Sequence, residues 1–441
     1  MTAPPPVILA AVPGSPGTPV YIAPSGDTPL VWLEVAMRGG AAADPIGLEG
    51  LHRHAALLAR RGAGARDRTA FDDDLDRLGA ALDVSIARDS TTVSAVTLSR
   101  NLDAVVELGA ELLAMPRFAE DEHARLLRET PQVLDEIRDD DSALATRWFD
   151  RECAPGHPYG RTSLGTEASL ARLELTLARD TWRREAVRSN LVLGVAGDID
   201  EAGALAIASR LIARLPAGPT PSLPDVASAT APHGRRVVLV DKADRTQAQL
   251  RLGHLGPRYG DDDTAALLLL ETGFGGMFSS RLRQEIRVKR GWSYGAGCTL
   301  RRSRGRHWLE MWMATAIAVA GDAVRTTLDL YADLAARGLP ADETDLARAY
   351  LIGSMPFHQA TARQRMQLAV RDAVFGLPSD YTIGLPARLA ELSAADVAAA
   401  ADRWLRPDDV VTVAVTTADG ARDRLAGAGA GPVATVAFDS Y

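Results

Sequence analysis

Two stretches of this sequence carry side chains whose types and spacing could do chemistry. In Gly47–Ala59, GLEGLHRHAALLA, two histidines stand two residues apart, His52 and His54. Imidazoles chelate one metal ion readily from positions i and i+4 of a helix, where they share a face. Two residues apart they point about 200° away from each other, so His52 and His54 cannot reach one ion without unwinding the turn. Arg53 between them repels a divalent cation and stays protonated at neutral pH, so it is no base. Further on, Glu129 and Glu136 in ETPQVLDEI share a helix face and offer two carboxylates. In RVKRGWSY, Arg287 and Tyr294 by themselves read as a solvated helix charge and a strand aromatic at the edge of a core.

Other candidates have plainer readings. The runs Asp72-Asp73-Asp74 and Asp139-Asp140-Asp141 offer oxygen ligands, but neither has the spacing of a calcium loop, so solvated faces or helix caps are expected. His157 in GHPYG reads as a turn element. The run from Arg301 to Arg306, RRSRGR, reads as a hairpin tip, with docking of an acidic partner or peptide as the alternative. The two cysteines, Cys153 and Cys298, are far apart and in no CxxC arrangement. They form no thiolate zinc site and read as reduced thiols.

The elements that must position these groups repeat. Strand-like text at Val20–Ile22 and Leu30–Met37 precedes helical text at Gly47–Ala59 and Phe71–Leu82. Leu82–Leu98 alternates as one or two strands, and Leu102–Leu113 is helical up to Pro116. A long helix is expected over Glu120–Arg138 with a kink at Pro131, then a buried strand in Ser189–Asp198. Residues 215–235 are rich in Pro, Ala, Gly and Ser and read as a linker. The pattern then restarts, with strands at Val237–Val240, Gln247–Leu252, Tyr294–Leu300 and Trp308–Ala316, helices at Thr264–Glu271 and Ala323–Arg337, and a closing strand in Asp409–Val415. Trp182 precedes NLVLGVAGD, as Trp404 precedes DDVVTVAV. Such long-period self-similarity indicates a duplicated α+β domain. The segments follow as an extension (1–19), a first domain (20–214), a linker (215–235), a second domain (236–420) and a tail (421–441) whose GAGAG reads as flexible.

Composition sets the outer limits. A chain of 441 residues exceeds one ordinary domain, and 46% hydrophobic with 24% charged residues is that of a globular protein. The net charge of -8 argues against a nucleic-acid partner. The N-terminus lacks a basic region, its apolar run is broken by prolines, and no stretch approaches a membrane span, so a cytoplasmic protein without membrane contact is expected.

Several spaced motifs, in order, resemble the insulinase/pitrilysin-like M16 zinc metallopeptidases. They are Gly47-Leu48, the helix ETPQVLDEI, GHPYGRTSLGT, NLVLGVAGDID, and TGFGGMFSSRLRQEIRVKRGWSYGAG. The resemblance runs from about Val20 to about Asp419. It implies two homologous α+β domains, each a mixed or antiparallel sheet with helices on one face, forming half of a clamshell. In that family a His-x-x-Glu-His helix and a Glu from another helix hold zinc, and the Glu beside the second His polarises the metal-bound water. Carried over residue by residue, the first His position falls on Gly50 and the base position on Arg53, so both are lost. His54 falls on the second His, Glu136 on the third ligand and Glu129 on a supporting carboxylate. With the metal gone, the resemblance leaves Arg53 to pair with Glu129 or Glu136, and His54 as a hydrogen-bonded, partly buried residue.

Arg287 and Tyr294 match the family's substrate-side pair at the family's spacing. A phenol donating to a developing oxyanion strengthens as charge grows, and a planar guanidinium can hold backbone carbonyls or acidic groups. Gly275, Gly276 and Ser279-Ser280 are expected to let the chain turn before the helix Arg281–Lys289. One half-site broken and the other kept implies a non-catalytic subunit that binds peptide and completes the active site of a partner carrying His-x-x-Glu-His. On this reading zinc sits in the partner, and this chain holds none. The alternatives are an inactive structural or chaperone-like subunit of the same fold, and a self-sufficient metallopeptidase with unusual ligands around His52, His54 and Glu136.

Overall fold

The segment LVLGVAG is apolar on both sides of its pleat, as a strand must be when both faces of its sheet are covered. In a computed structural model, which describes residues 5–225 and 231–440, it is the strand β8 at the centre of a six-stranded sheet. Its chain order is β1 (Ile8–Val12), β2 (Ser15–Pro24), β3 (Leu30–Arg38), a two-residue ladder of β4 (Gly62–Ala63) with β5 (Arg66–Asp67), then β6 (Ala81–Ile86), β7 (Ser90–Leu98) and β8 (Leu191–Gly197). The sheet order is β1-β2-β8-β3-β7-β6, with β2 and β8 parallel and every other pair antiparallel.

A second sheet is built from β9 (Arg236–Asp241), β10 (Gln247–Arg258), β11 (Ala296–Arg301), β12 (Arg306–Ala316), β13 (Val411–Thr416) and β14 (Val433–Ala437). Its order is β11-β12-β10-β13-β9-β14, with β9 parallel to β13. Strand for strand, β2, β8, β3, β7 and β6 correspond to β9, β13, β10, β12 and β11. The duplicated mixed α+β organisation legible in the sequence is thus present in the sheets themselves. The sixth strands differ: β1 runs antiparallel to β2, whereas β14 runs parallel to β9. The segments read as extension and tail therefore each supply an edge strand.

The chain forms two compact units that do not follow its halves. One comprises Met1–Gln132, Thr162–Pro224 and Pro356–Thr382; the other comprises Val133–Arg161, Asp225–Met355 and Ile383–Tyr441. In the first unit the helices Leu51–Ala59 and Leu102–Ala114 pack on the β6–β7 side, backed by Leu175–Glu185 and Glu201–Ile212. The opposite face is covered by Ala362–Val374, a helix from the second half of the chain, whose Met366 and Val370 join Tyr21, Val192 and Ala196 in one apolar cluster. In the second unit, Thr264–Glu271, Ala320–Arg337 and Ala394–Trp404 share the core with the sheet. There Asp141–Cys153, a helix from the first half, covers β10 and β13.

A glycine stands beneath each of these crossing helices. A Cβ on Gly194 of β8 would meet the Met366 sulfur at 2.1 Å. Gly253 of β10, at φ 154°, lies under Phe149, and a Cβ there would meet the Leu309 carbonyl oxygen at 1.8 Å. The helix Glu120–Asp139 continues through Pro131 rather than ending there. Residues 215–225 of the expected linker are described, and the start of that stretch is pinned: Arg188 and Ser189 donate their backbone N–H groups to the Pro216 and Ala217 carbonyls. Residues 226–230 lie outside the described residues.

Candidate functional site

In the first unit the helix Leu51–Ala59 opens on Gly50, which caps it in a left-handed conformation at φ 92°. A Cβ there would lie 2.9 Å from the Leu164 carbonyl oxygen and 3.0 Å from the Gly165 nitrogen. No side chain fits this position without moving backbone. The cap comes from Asp44, whose carboxylate accepts from the Gly50 N–H at 2.7 Å and the His52 N–H at 2.9 Å.

His52 is fully engaged. Its Nδ1 lies 2.6 Å from Asp44 Oδ1 and its Nε2 2.8 Å from Glu185 Oε1, with all three side chains buried. Burial pulls its pKa down, but hydrogen bonds to Asp44 and Glu185 and their charges outweigh it and hold it up at about 9. His52 is thus an imidazolium clamped between two carboxylates, donating to both, with no lone pair left for a metal.

His54 turns the other way, as the 100° advance per residue requires. Its Nε2 meets His123 Nδ1 at 2.8 Å, with the rings edge to face. Burial first, then the neighbouring His123, Arg53 and Arg61, drive its pKa down to about 3. The two imidazoles are therefore a neutral pair in which one N–H is donated to the other ring. The sequence reading missed His123; its place six residues before Glu129 on the same helix was the available signal.

The ion pair expected of Arg53 is made by a different arginine. Arg61, two residues past the helix end, pairs with Glu122 at 2.8 Å and Glu129 at 2.5 Å, and Arg125 also donates to Glu129 at 2.8 Å. Arg53 makes no ion pair among the described residues, because it lies a quarter-turn off the face that His54 presents to His123; burial lowers its pKa. Glu136 is exposed and belongs by its contacts to the second unit. Among the described residues no group of three or more His, Cys, Asp or Glu side chains is placed to hold a metal ion. The residues that the resemblance aligns with the zinc ligands do not fit that ion: Gly50 has no donor, His54 is bonded to His123, and Glu136 belongs to the other unit, while Arg53, aligned with the base, is a cation.

In the second unit the chemistry faces outward. Buried Leu282 and Ile286 anchor Arg281–Arg283 and the wider π-helical turn Gln284–Lys289 that follows. Gly275, in the preceding turn, allows close approach to β11, since a Cβ there would stand 2.2 Å from the Cys298 nitrogen. Ser293 then fixes the entry into β11, donating its hydroxyl to the Gly295 carbonyl at 2.6 Å and accepting from the Ala314 N–H at 3.3 Å.

Tyr294 stands just before that strand and is 89% exposed. It is not a strand aromatic at a core edge. The Arg287 guanidinium lies 4.8 Å from the centre of its ring and 5.4 Å from that of Phe278, itself 60% exposed. The pair expected from the sequence is brought together, and Phe278 is an addition that sequence reasoning did not single out. A phenol hydroxyl and a guanidinium on a water-facing surface can donate hydrogen bonds to carbonyl or carboxylate oxygens of a bound chain.

The remaining candidates are structural. His157 accepts from the Tyr159 N–H at 3.1 Å in its turn. Asp140 caps Asp141–Cys153, while Asp72, Asp74 and Asp141 pair with Arg60, Arg66 and Lys242. In the basic run at a hairpin tip, Arg301 pairs with Asp150 and Glu310, and Arg306 donates to the Gly256 carbonyl at 2.7 Å, while Arg302 is exposed. Cys153 and Cys298 are buried free thiols. Among the described residues no helix is long and apolar enough to cross a membrane.

Residues 181–351 match the family model of the Peptidase M16 inactive domain. An uncharacterized zinc protease of Mycobacterium tuberculosis is 29% identical over 297 residues, 66% of this chain and 67% of that protein. The non-peptidase homolog YmxG of Helicobacter pylori is 21% identical over 372 residues, 84% of this chain and 85% of that protein. The crystal structure of a peptidase M16 inactive domain from Pseudomonas fluorescens superimposes with a TM-score of 0.86 at 23% identity, covering 93% of this chain and 98% of that one. A protease from Helicobacter pylori superimposes with a TM-score of 0.81 at 19% identity over 94% of this chain and all of the other. Over residues 181–351 this chain is thus similar to the M16 inactive domain, and it shares its fold with solved M16 proteins over nearly its whole length.

Proposed function

We propose that this chain is the non-catalytic subunit of a two-chain M16-type peptidase, binding peptide through Arg287 and Tyr294. A partner bearing His-x-x-Glu-His would bring the zinc ion and the general base. The observation that carries this reading is the contrast between Gly50 and Tyr294. The first-ligand position is held by a glycine at φ 92° against the Leu164 carbonyl, while Tyr294 stands 89% exposed beside the guanidinium of Arg287.

In this role Tyr294 donates its phenolic hydrogen to a peptide carbonyl, a bond that strengthens as negative charge develops on that oxygen. Arg287 orients the chain on either side by donating to its oxygens. The peptide lies extended, a form in which it can add to a sheet edge. Neither residue supplies a nucleophile or a base, so the chain alone cleaves nothing.

The test is reconstitution. Mixed with a His-x-x-Glu-His chain of the same source, the purified protein should form a complex that cleaves quenched-fluorescence peptides, and Tyr294→Phe should lower kcat by roughly 10²-fold, as loss of one oxyanion donor does. Undiminished turnover in that variant would overturn the role given to Tyr294. Peptide binding without any cleavage in the mixture would favour the structural or chaperone-like reading, which the non-peptidase homolog among the relatives also suggests.

A further inference from the structure

The stretch from Arg281 to Arg290 carries five cations, and four of them are already occupied. Arg281 pairs with Glu343 at 2.6 Å and Asp333 at 3.4 Å. Arg283 donates Nε to the Ala296 carbonyl at 3.0 Å. Lys289 and Arg290 share Glu285, at 3.0 and 2.9 Å. Arg287 alone among these five has neither a carboxylate nor a carbonyl partner among the described residues. Its guanidinium rests instead near the Phe278 and Tyr294 rings.

A guanidinium against aromatic rings keeps its donor edge free, and that edge matches the two oxygens of a carboxylate. The rings are themselves unusual. Large aromatics 60% and 89% exposed beside one charge form a surface that is apolar and anion-seeking at once.

We infer that Phe278, Arg287 and Tyr294 form a subsite for an acidic residue of the bound peptide. Arg287 takes the carboxylate of a Glu or Asp side chain, and the two rings cover the apolar atoms beside it. Phe278 is the specificity-determining addition to the pair. This rests on the peptide-binding reading above and narrows it to a substrate class, peptides with an acidic residue at the contact.

The probe is a short fluorescein-labelled Ala/Ser peptide, amidated at its C-terminus, with one central Glu, and the same peptide with Gln in its place. Fluorescence anisotropy with the purified full chain should show the Glu peptide bound roughly tenfold more tightly, as one charge-assisted bond provides. Arg287→Gln should bring the two peptides to parity, and Phe278→Ala should weaken the Glu peptide severalfold. Phe278 is exposed and Arg287 only partly buried, so neither substitution threatens the core. Equal affinity for the two peptides in the unmodified chain overturns this inference and leaves the peptide-binding reading standing. A Glu preference that survives Arg287→Gln also overturns it. Binding of neither peptide overturns both readings.

Discussion

The two sheets share a strand order, yet they place chemistry in opposite ways. After β3, the first unit turns through Asp44 and Gly50 into a helix whose histidines face inward, one between two buried carboxylates and one against another imidazole. Before β11, the second unit turns through Ser293 and leaves a tyrosine and an arginine facing water. Duplicated scaffolds therefore do not imply duplicated sites. The side chains at the turns decide whether polar groups are spent on holding the fold or left free to bind.

The scaffold comparison breaks most easily at its glycines. Gly253→Ala should cost about 3 kcal/mol or more, because the clash is with a backbone oxygen at an unfavourable φ; denaturant unfolding with a shifted midpoint measures it. Gly194→Ala should cost less, about 1–3 kcal/mol, since Met366 is flexible and can yield. Equal losses would remove the distinction between a clash with backbone and a clash with a flexible side chain.

The histidines of the first unit should titrate with opposite signs. The folded pKa of His52 is raised to about 9, so its contribution is complete below about 6.5, its unfolded value, and is lost as pH rises through 9. Its upper size is on the order of 3 kcal/mol. His54 is depressed to about 3, so its neutral form stabilises the fold above about 6.5, and that contribution is lost as pH falls towards 3. Urea unfolding at a series of pH values should fall on the alkaline side in the wild type and much less in His52→Gln. An identical alkaline fall in both proteins would dissociate it from His52.

Restoring the lost motif sharpens the contrast further. Gly50→His with Arg53→Glu should not recover stoichiometric zinc by elemental analysis, and should cost about 1–3 kcal/mol, because the position demands a left-handed backbone against the Leu164 carbonyl. Stoichiometric metal in that double variant would mean that the turn adapts and that the loss lies in side chains alone.

Much of the fold was legible because its strands and helices declare themselves locally. Leu30–Met37, Thr264–Glu271 and Asp409–Val415 sit within a few residues of the observed elements, since apolar periodicity and turn residues act at short range. The edge strands Ile8–Val12 and Val433–Ala437 were not legible: being half-exposed, they lack a buried pattern and gain their form from a neighbour. Nor was the packing of a helix from each half of the chain on the other half's sheet, which depends on contacts far apart in sequence.

At the candidate site the same division holds. The sequence by itself determined that Gly50 and Arg53 are no ligand and no base, and that Arg287 and Tyr294 stand at a fixed spacing, because these are properties of side-chain chemistry. Only the tertiary structure decided that His52 is charged and His54 neutral, that Arg61 rather than Arg53 meets Glu129, and that Phe278 joins Arg287. Charge state and partnership depend on burial and on what distant segments bring within a few ångströms, and neither quantity is written in local sequence.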